Sequence, residues 1–220
     1  MESSKEYYLE PDNNLLIRRF TEYKSFYIDK LLPKDKTIKI LDIGCGFGLF
    51  LDACQKCGYK NYEGVDGGQA YVEYAKQKLG LTNIFWSPAK DYLDSKERLT
   101  YDVITAFHFL EHIKRGEVLN LLTSFFEKLK EGGNLILEVP NGESPVGLAA
   151  FYRDLTHEFA YSEILLTHLL SVTGFKEVKI IPRFINTNPL IRLGQKIVAK
   201  IFGRDNKIFF SSSLVAIAKK

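Results

Sequence analysis

The 220-residue sequence predicts an α/β fold, a parallel sheet with helices covering both faces. Two observations predict it. Short aliphatic runs alternate along the chain with segments whose apolar residues recur at helical spacing. One of those runs, "KILDI", passes straight into a turn with glycine at alternate positions, Gly44, Gly46 and Gly48. Glycine weakens a strand or helix by roughly 0.5–1 kcal/mol relative to alanine, so three here mark a backbone made tight and approachable.

The elements follow in order. Residues 14–32 have helical spacing, and Pro33 ends the run. "IKILDI" (38–43) reads as a buried strand, and Phe47 to Cys57 as a helix closed by Gly58. "NYEGVD" (61–66) is a second strand, followed by a helix over 69–79. "NIFW" (83–86) and "YDVITAF" (101–107) are the third and fourth strands. "KRGEVLNLLTSFFEKLKEGG" predicts a long amphipathic helix ending at Gly132-Gly133, before a fifth strand, "NLILEVP" (134–140). An irregular segment comes next, and then a helix capped by Ser162 and stopped by Gly174. "EVKIIPR" is a strand, residues 189–202 a basic amphipathic helix, and "SSLVAIAKK" a last strand. Without repeats, this is one domain over 1–220, with an N-terminal helical cap (1–36) and insertions on the acceptor side at 141–162 and 183–210.

Composition narrows the function. Thirty basic and 27 acidic residues give a net charge of +3, too balanced to argue for nucleic acid. No run reaches the roughly 18 apolar residues of a membrane span. The polar start "MESSKEYYLEPDNN" lacks the apolar core of a signal peptide, so a reducing, cytoplasmic setting is expected. Cys54 and Cys57 form a CxxC, but late in a helix and without the further ligands a structural zinc needs. They read as ordinary helix cysteines.

A strand, a glycine turn and a helix form the usual nucleotide-binding place of an open α/β sheet. Absent side chains let a ligand approach, and backbone N–H groups can donate to it. An acidic residue at the tip of the next strand suits ribose hydroxyls, and Asp66, 22 residues after Gly44, stands there. The turn is GxGxG rather than the GxGxxG of dinucleotide folds, because position 49 is Leu. Asp42, just before it, suits a cationic, amino-acid-like ligand better than a pyrophosphate.

"LDIGCGFG", "GVD", "YDVITAFHFLEHI" and "LKEGGNLILEVPN", in this order, resemble the class I S-adenosylmethionine-dependent methyltransferases. The resemblance covers about residues 38–182, with the last strand completing the pattern. It implies a Rossmann-like sheet of seven strands whose last is antiparallel and inserted beside the fifth. By position, Asp42, Gly44, Gly46 and Gly48 would surround the methionine part of the cofactor, S-adenosylmethionine. Asp66 would hold its ribose, with Gly67 close by. Phe107 and His108 would line the methionine side. Where many relatives carry an acidic residue after the third strand, this chain has "WSPAKDYL", so Pro88 and Ala89 would offer packing and backbone contacts near the adenine, with Asp91 as a substitute acid.

The histidines divide. "HFLEH" (108–112) matches H-x-x-E-H, a helix-borne zinc motif, but His108 follows directly on a strand and should lie in a turn. The expectation is therefore no metal, with Glu111 and His112 shaping the loop under the cofactor and His112 near the acceptor. His168, on a leucine-rich helix, reads as packing. His157 lies in "FYRDLTHEFAYS", beyond the fifth strand, where class I methyltransferases build the acceptor pocket. That run resembles the "RDPTH"-type segment of methyltransferases encoded with polysaccharide and O-antigen biosynthesis enzymes, with Leu155 in place of the proline. The resemblance implies a sugar hydroxyl or sugar phosphate as acceptor. An alcohol must lose its proton as it attacks, and an imidazole with a pKa near 6.5 suits that task. His157 is thus the expected base, with Asp154 orienting it or binding a hydroxyl, Arg153 facing an anionic group and Tyr161 lining the acceptor.

The expected function is O-methylation of a small carbohydrate-related acceptor. A quinone-like phenol as acceptor, and a non-catalytic cofactor-binding scaffold, remain alternatives; an NAD-dependent oxidoreductase is disfavoured by the glycine spacing and the lack of a second domain. In "NPLIRLGQKIVAKIF" (188–202), Leu190, Leu193, Ile197 and Ile201 share one stripe, and Arg192, Lys196 and Lys200 another. Such a helix either covers the sheet or a subunit interface, or meets an anionic membrane peripherally. The oligomeric state is left open.

Overall fold

The strands form where aliphatic runs predict them. In the computed structural model, which describes residues 10–184, 200–201 and 210–220, they are β1 (Ile40–Ile43), β2 (Tyr62–Asp66), β3 (Ile84–Trp86), β4 (Tyr101–Phe107), β5 (Leu129–Pro140), β6 (Lys176–Arg183) and β7 (Ser213–Lys219). They form a seven-stranded sheet in the order β3-β2-β1-β4-β5-β7-β6. β2 pairs parallel to both β1 and β3, and β1 parallel to β4. β7 runs antiparallel to β5 and to β6, so the last strand lies beside the fifth. The helices are α1 (Asn13–Glu22), α2 (Leu49–Lys56), α3 (Gln69–Leu79), α4 (Ala89–Asp94), α5 (Val118–Lys128), α6 (Pro145–Phe151) and α7 (Glu163–Thr173). Nearly all of the basic amphipathic stretch at 188–202 lies outside the described residues.

The chain divides into two compact units, residues 1–105 with 128–130, and residues 106–127 with 131–220. In the first, α1 starts at Asp12, whose carboxylate accepts from the Leu15 N–H at 2.7 Å. It passes into a π-helical segment, Tyr23–Ile28, instead of running on as one α-helix. That segment buries Tyr27 and Ile28, and the Tyr27 ring meets Phe50 of α2 edge-on, centroids 6.4 Å apart. α2 begins two residues later than its apolar pattern suggests, because Gly46 and Gly48 hold φ of +51° and +75°. Cys45 and Cys54 are buried free thiols, and burial raises both far above the usual thiol range. On β2, Glu63 accepts from the Tyr92 and Tyr101 hydroxyls at 2.7 and 2.6 Å and pairs with Lys39 and Lys96 at 2.9 and 3.2 Å.

In the second unit, β7 lies between β5 and β6, and α7 runs from a Ser162 cap to Gly174. Two expectations fail here, each for a local reason. α6 forms inside the segment read as irregular: Ser144 accepts from the Val146 and Gly147 N–H groups, with Pro145 at the first helical position. β5 also begins at Leu129 rather than residue 134, cutting the preceding helix short. The chain end competes for that backbone: Gly132 donates to the Lys220 carbonyl at 3.2 Å, and Lys220 to the Gly133 carbonyl at 2.9 Å.

Candidate active site

In the first unit the polar groups gather at the ends of β1 and β2. Asp42 is buried, and its Oδ1 accepts from the Thr105 hydroxyl at 2.6 Å. Burial pushes this carboxyl up to about 7; Thr105 opposes that and the nearby charge of Asp66 adds to it. Gly44, at φ +68°, and Cys45 both donate to the Val65 carbonyl, at 2.9 and 3.1 Å. Gly46 donates to Asp66 Oδ2 at 2.8 Å, and Gly48 to the Cys45 carbonyl at 2.9 Å. This corrects the expectation that these loop amides serve a ligand: three of the N–H groups tie the turn to the end of β2, and that of Gly48 closes the turn on itself. What the turn leaves open is space. A Cβ on Gly46 or Gly67 would meet nothing within 4 Å, whereas one on Gly48 would strike Leu81 at 2.7 Å. Gly48 therefore serves helix packing.

Asp66 is fixed by two amides, Gly46 on one oxygen and Gly68 at 2.7 Å on the other. Ala89 opens α4 just beyond β3, after Pro88, and Asp91 is exposed in its first turn. The sequence marks Trp86 only as part of a strand. It lies in register with Asp66, is 60% exposed, and donates its indole N–H to the Gly67 carbonyl at 3.0 Å. An anchored, exposed indole beside that carboxylate suits a planar base.

In the second unit, Phe107 ends β4 and His108 occupies the turn after it, at φ +51°. The His108 N–H donates to the Glu138 carbonyl at 2.8 Å. Its Nδ1 lies 3.2 Å from Glu111 Oε1 and its Nε2 3.5 Å from Glu138 Oε1. Desolvation disfavours the charged ring, but Glu138 and then Glu111 outweigh it and push the pKa up to about 10. The side chain is 49% exposed, so water screens part of that attraction. The imidazolium is still the form at neutral pH. Glu138, buried near the end of β5, also binds Arg183 of β6 at 2.9 and 3.0 Å. Neither Glu138 nor Arg183 was singled out from the sequence, although a carboxylate inside "LILEVP" is itself a signal, since a buried charge needs partners.

The segment after α6 brings two more histidines together. The Thr156 hydroxyl donates to Asp154 Oδ1 at 2.6 Å, and His112 Nδ1 lies 2.9 Å from that same hydroxyl oxygen. His157 Nδ1 lies 2.7 Å from the Phe151 carbonyl, and the two imidazole centroids are 4.6 Å apart. Asp154 thus acts on His112 through Thr156, while a backbone carbonyl orients His157; the expected Asp154–His157 side-chain pair is not formed. Arg153 is exposed, with no ion pair among the described residues. Tyr161 corrects a second expectation. It is fully buried, pinned by the Asn141–Tyr161 bridge, and its hydroxyl donates to the Leu110 carbonyl at 3.2 Å, so it lines no acceptor surface. His168 sits exposed on α7.

A family model described as "Methyltransferase domain" matches residues 15–178. The chain belongs to this family. A solved S-adenosylmethionine-dependent methyltransferase from Archaeoglobus fulgidus is 28% identical, with a TM-score of 0.70 over 93% of this chain and 91% of its own. The mitochondrial ubiquinone biosynthesis O-methyltransferase of Schizosaccharomyces pombe is 32% identical over 45% of this chain and 36% of its own length. The ribosomal protein L11 methyltransferase of Shewanella denitrificans is 31% identical over 57% and 41%. The matches thus span less than half the length of these two curated relatives.

The chain is a methyltransferase domain, and S-adenosylmethionine is its cofactor. The residues in place fit that group. Open Cα faces at Gly46 and Gly67 leave room for it, Asp66 would accept from its ribose hydroxyls, and the Asp42 carboxyl would face its ammonium. In the methyltransferase domain these features all belong to the first unit.

Proposed function

We infer that this methyltransferase domain methylates a hydroxyl of a small acceptor, held at the His112–His157 pair. One observation carries the reading: both imidazoles have Nδ1 engaged with oxygen, which leaves each Nε2 available to an incoming hydroxyl. Bound S-adenosylmethionine supplies an electrophilic methyl group on its sulfonium. The chain's own residues hold and orient the acceptor and draw the proton from its oxygen, with His157 the residue placed for it and Asp154 steadying His112 through Thr156. Exposed Arg153 suits an anionic acceptor group.

A sugar or glycan-related acceptor is the first reading, supported by the RDLTH segment, and it implies a place in polysaccharide biosynthesis and a cytoplasmic location, with peripheral membrane contact if the glycan is lipid-linked. No helix among the described residues is long and apolar enough to cross a membrane. A phenol is the second reading, favoured by the likeness to a ubiquinone biosynthesis O-methyltransferase. Incubating the chain with methyl-deuterated S-adenosylmethionine and a panel of nucleotide sugars, sugar phosphates and catechols, read by mass spectrometry, separates them. Label on sugars alone supports the first reading, label on catechols alone the second, and label on neither overturns both. His157→Ala should lower turnover on the accepted substrate by about 10²–10⁴-fold. Full turnover in that variant would remove His157 from the acceptor site.

A further inference from the structure

We propose that Glu111, His112 and His157 form a binding site for one divalent transition-metal cation of the zinc type. One ligand atom from each of the three lies within 4.8 Å of the others. Glu111 is fully buried, and its Oε2 has no hydrogen-bond partner among the described residues, while Oε1 faces His108. An unpartnered buried carboxylate oxygen costs about 1–3 kcal/mol or more, and a cation removes that cost.

The surroundings fit metal ligation. A ligating imidazole holds the metal on one nitrogen and donates from the other to a carbonyl or to a carboxylate-linked group, which fixes its tautomer. Both rings have such a partner. His157 Nδ1–H donates to the Phe151 carbonyl at 2.7 Å. The Thr156 hydroxyl gives its own proton to Asp154, so toward His112 it can only accept, and His112 Nδ1 must carry the hydrogen. Nε2 is therefore a lone pair on both rings. Backbone bonds join the two ligand-bearing segments: the Glu158 N–H donates to the Glu111 carbonyl at 2.7 Å.

The donor set selects the metal. Two imidazoles and one carboxylate suit zinc and neighbouring first-row ions, while magnesium and calcium take oxygen ligands. Three protein ligands leave a coordination position open, the pattern of catalytic rather than structural zinc. Tetrahedral zinc brings its ligand atoms to about 3.4 Å of one another, so the site contracts on binding. The arrangement differs from the H-x-x-E-H motif in the sequence, because His108 faces Glu111 and Glu138 and the second imidazole comes from the acceptor segment instead. With the cation in place His157 is a ligand and no longer the base; an acceptor hydroxyl in the open position would then lose its proton to water, more readily than a free one. That last role rests on the reading above; the cation site does not.

The test is to strip the full chain with a chelator and titrate it with Zn²⁺ calorimetrically and with Co²⁺ spectroscopically. The expected result is one cation per chain, with cobalt bands of nitrogen and oxygen ligation and no thiolate charge transfer. His157→Ala, His112→Ala and Glu111→Gln should each weaken Zn²⁺ binding by at least about tenfold, and Thr156→Val by about 10–100-fold. S-adenosylhomocysteine affinity, retained in each variant, reports that it has folded. If Glu111→Gln does not fold, the partly exposed His157 keeps the proposal open to refutation. No Zn²⁺ binding by the wild type, affinity unchanged in the histidine variants, or thiolate bands from cobalt would each overturn it. Zinc binding without methyl transfer to any hydroxyl acceptor would overturn the proposed function and leave the cation site standing.

Discussion

Asp42 shows how a single residue joins stability to ligand binding. Its carboxyl is buried with one hydroxyl partner, and burial pushes it up to about 7 from 3.8. A carboxyl raised in the folded state binds a proton that the unfolded chain has released, so stability falls as pH rises from about 4 to 7. Asp42→Asn keeps an oxygen for Thr105 and removes the charge. In thermal unfolding without ligand, the variant should be more stable than the wild type above pH 7, by on the order of 4 kcal/mol, and the gain should vanish near pH 4. Its S-adenosylmethionine affinity should drop at the same time; a variant equal to wild type in both respects would take Asp42 out of the site. Asp42 and Asp66 could be read from the sequence because a carboxylate at a strand end beside glycines has few other uses. The Glu138–Arg183 pairing could not, since it joins residues 45 positions apart. The roles of Asp154 and His157 depended on which short-range bond won, and the Phe151 carbonyl reaches the ring where Asp154 does not.

Among the elements, β1 and β4 were the most legible, because their nearly complete burial leaves runs of apolar residues. The short helices α4 and α6 were not. Six or seven residues show little periodicity, and a Ser-Pro cap inside "NGESPVG" looks like a loop. β2 carries the clearest pH-dependent element. Glu63 loses some solvation, but hydrogen bonds from Tyr101, Lys39, Tyr92 and Lys96 outweigh that and bring its carboxyl down to about 2 from 4.5. A lowered carboxylate pKa stabilises the fold above the unfolded value, and the contribution is lost as pH falls from about 4.5 to 2. Chemical denaturation across that range should show the wild type losing stability, while Glu63→Gln starts about 1–3 kcal/mol lower at pH 7 and shows a shallower decline. Equal slopes for the two proteins would mean that the four partners do not act on Glu63.

At the scale of the whole molecule, sheet order and family were legible because four motifs occur in a fixed order, and each marks a strand end or the turn after it. The acceptor half was legible only in part. Its residues come from segments more than 40 positions apart, His112 and Thr156 among them, and no local pattern announces such a meeting. The account assigns cofactor binding to the glycine turn and Asp66, and acceptor chemistry to the segment around His157. Calorimetric titration of S-adenosylhomocysteine into the wild type, Asp66→Ala and His157→Ala tests that division. The wild type should bind. Asp66→Ala should lose about 1.5–3 kcal/mol, the worth of hydrogen bonds to a charged group, and His157→Ala should match the wild type. Undiminished affinity in Asp66→Ala, or affinity lost in His157→Ala, would contradict the account.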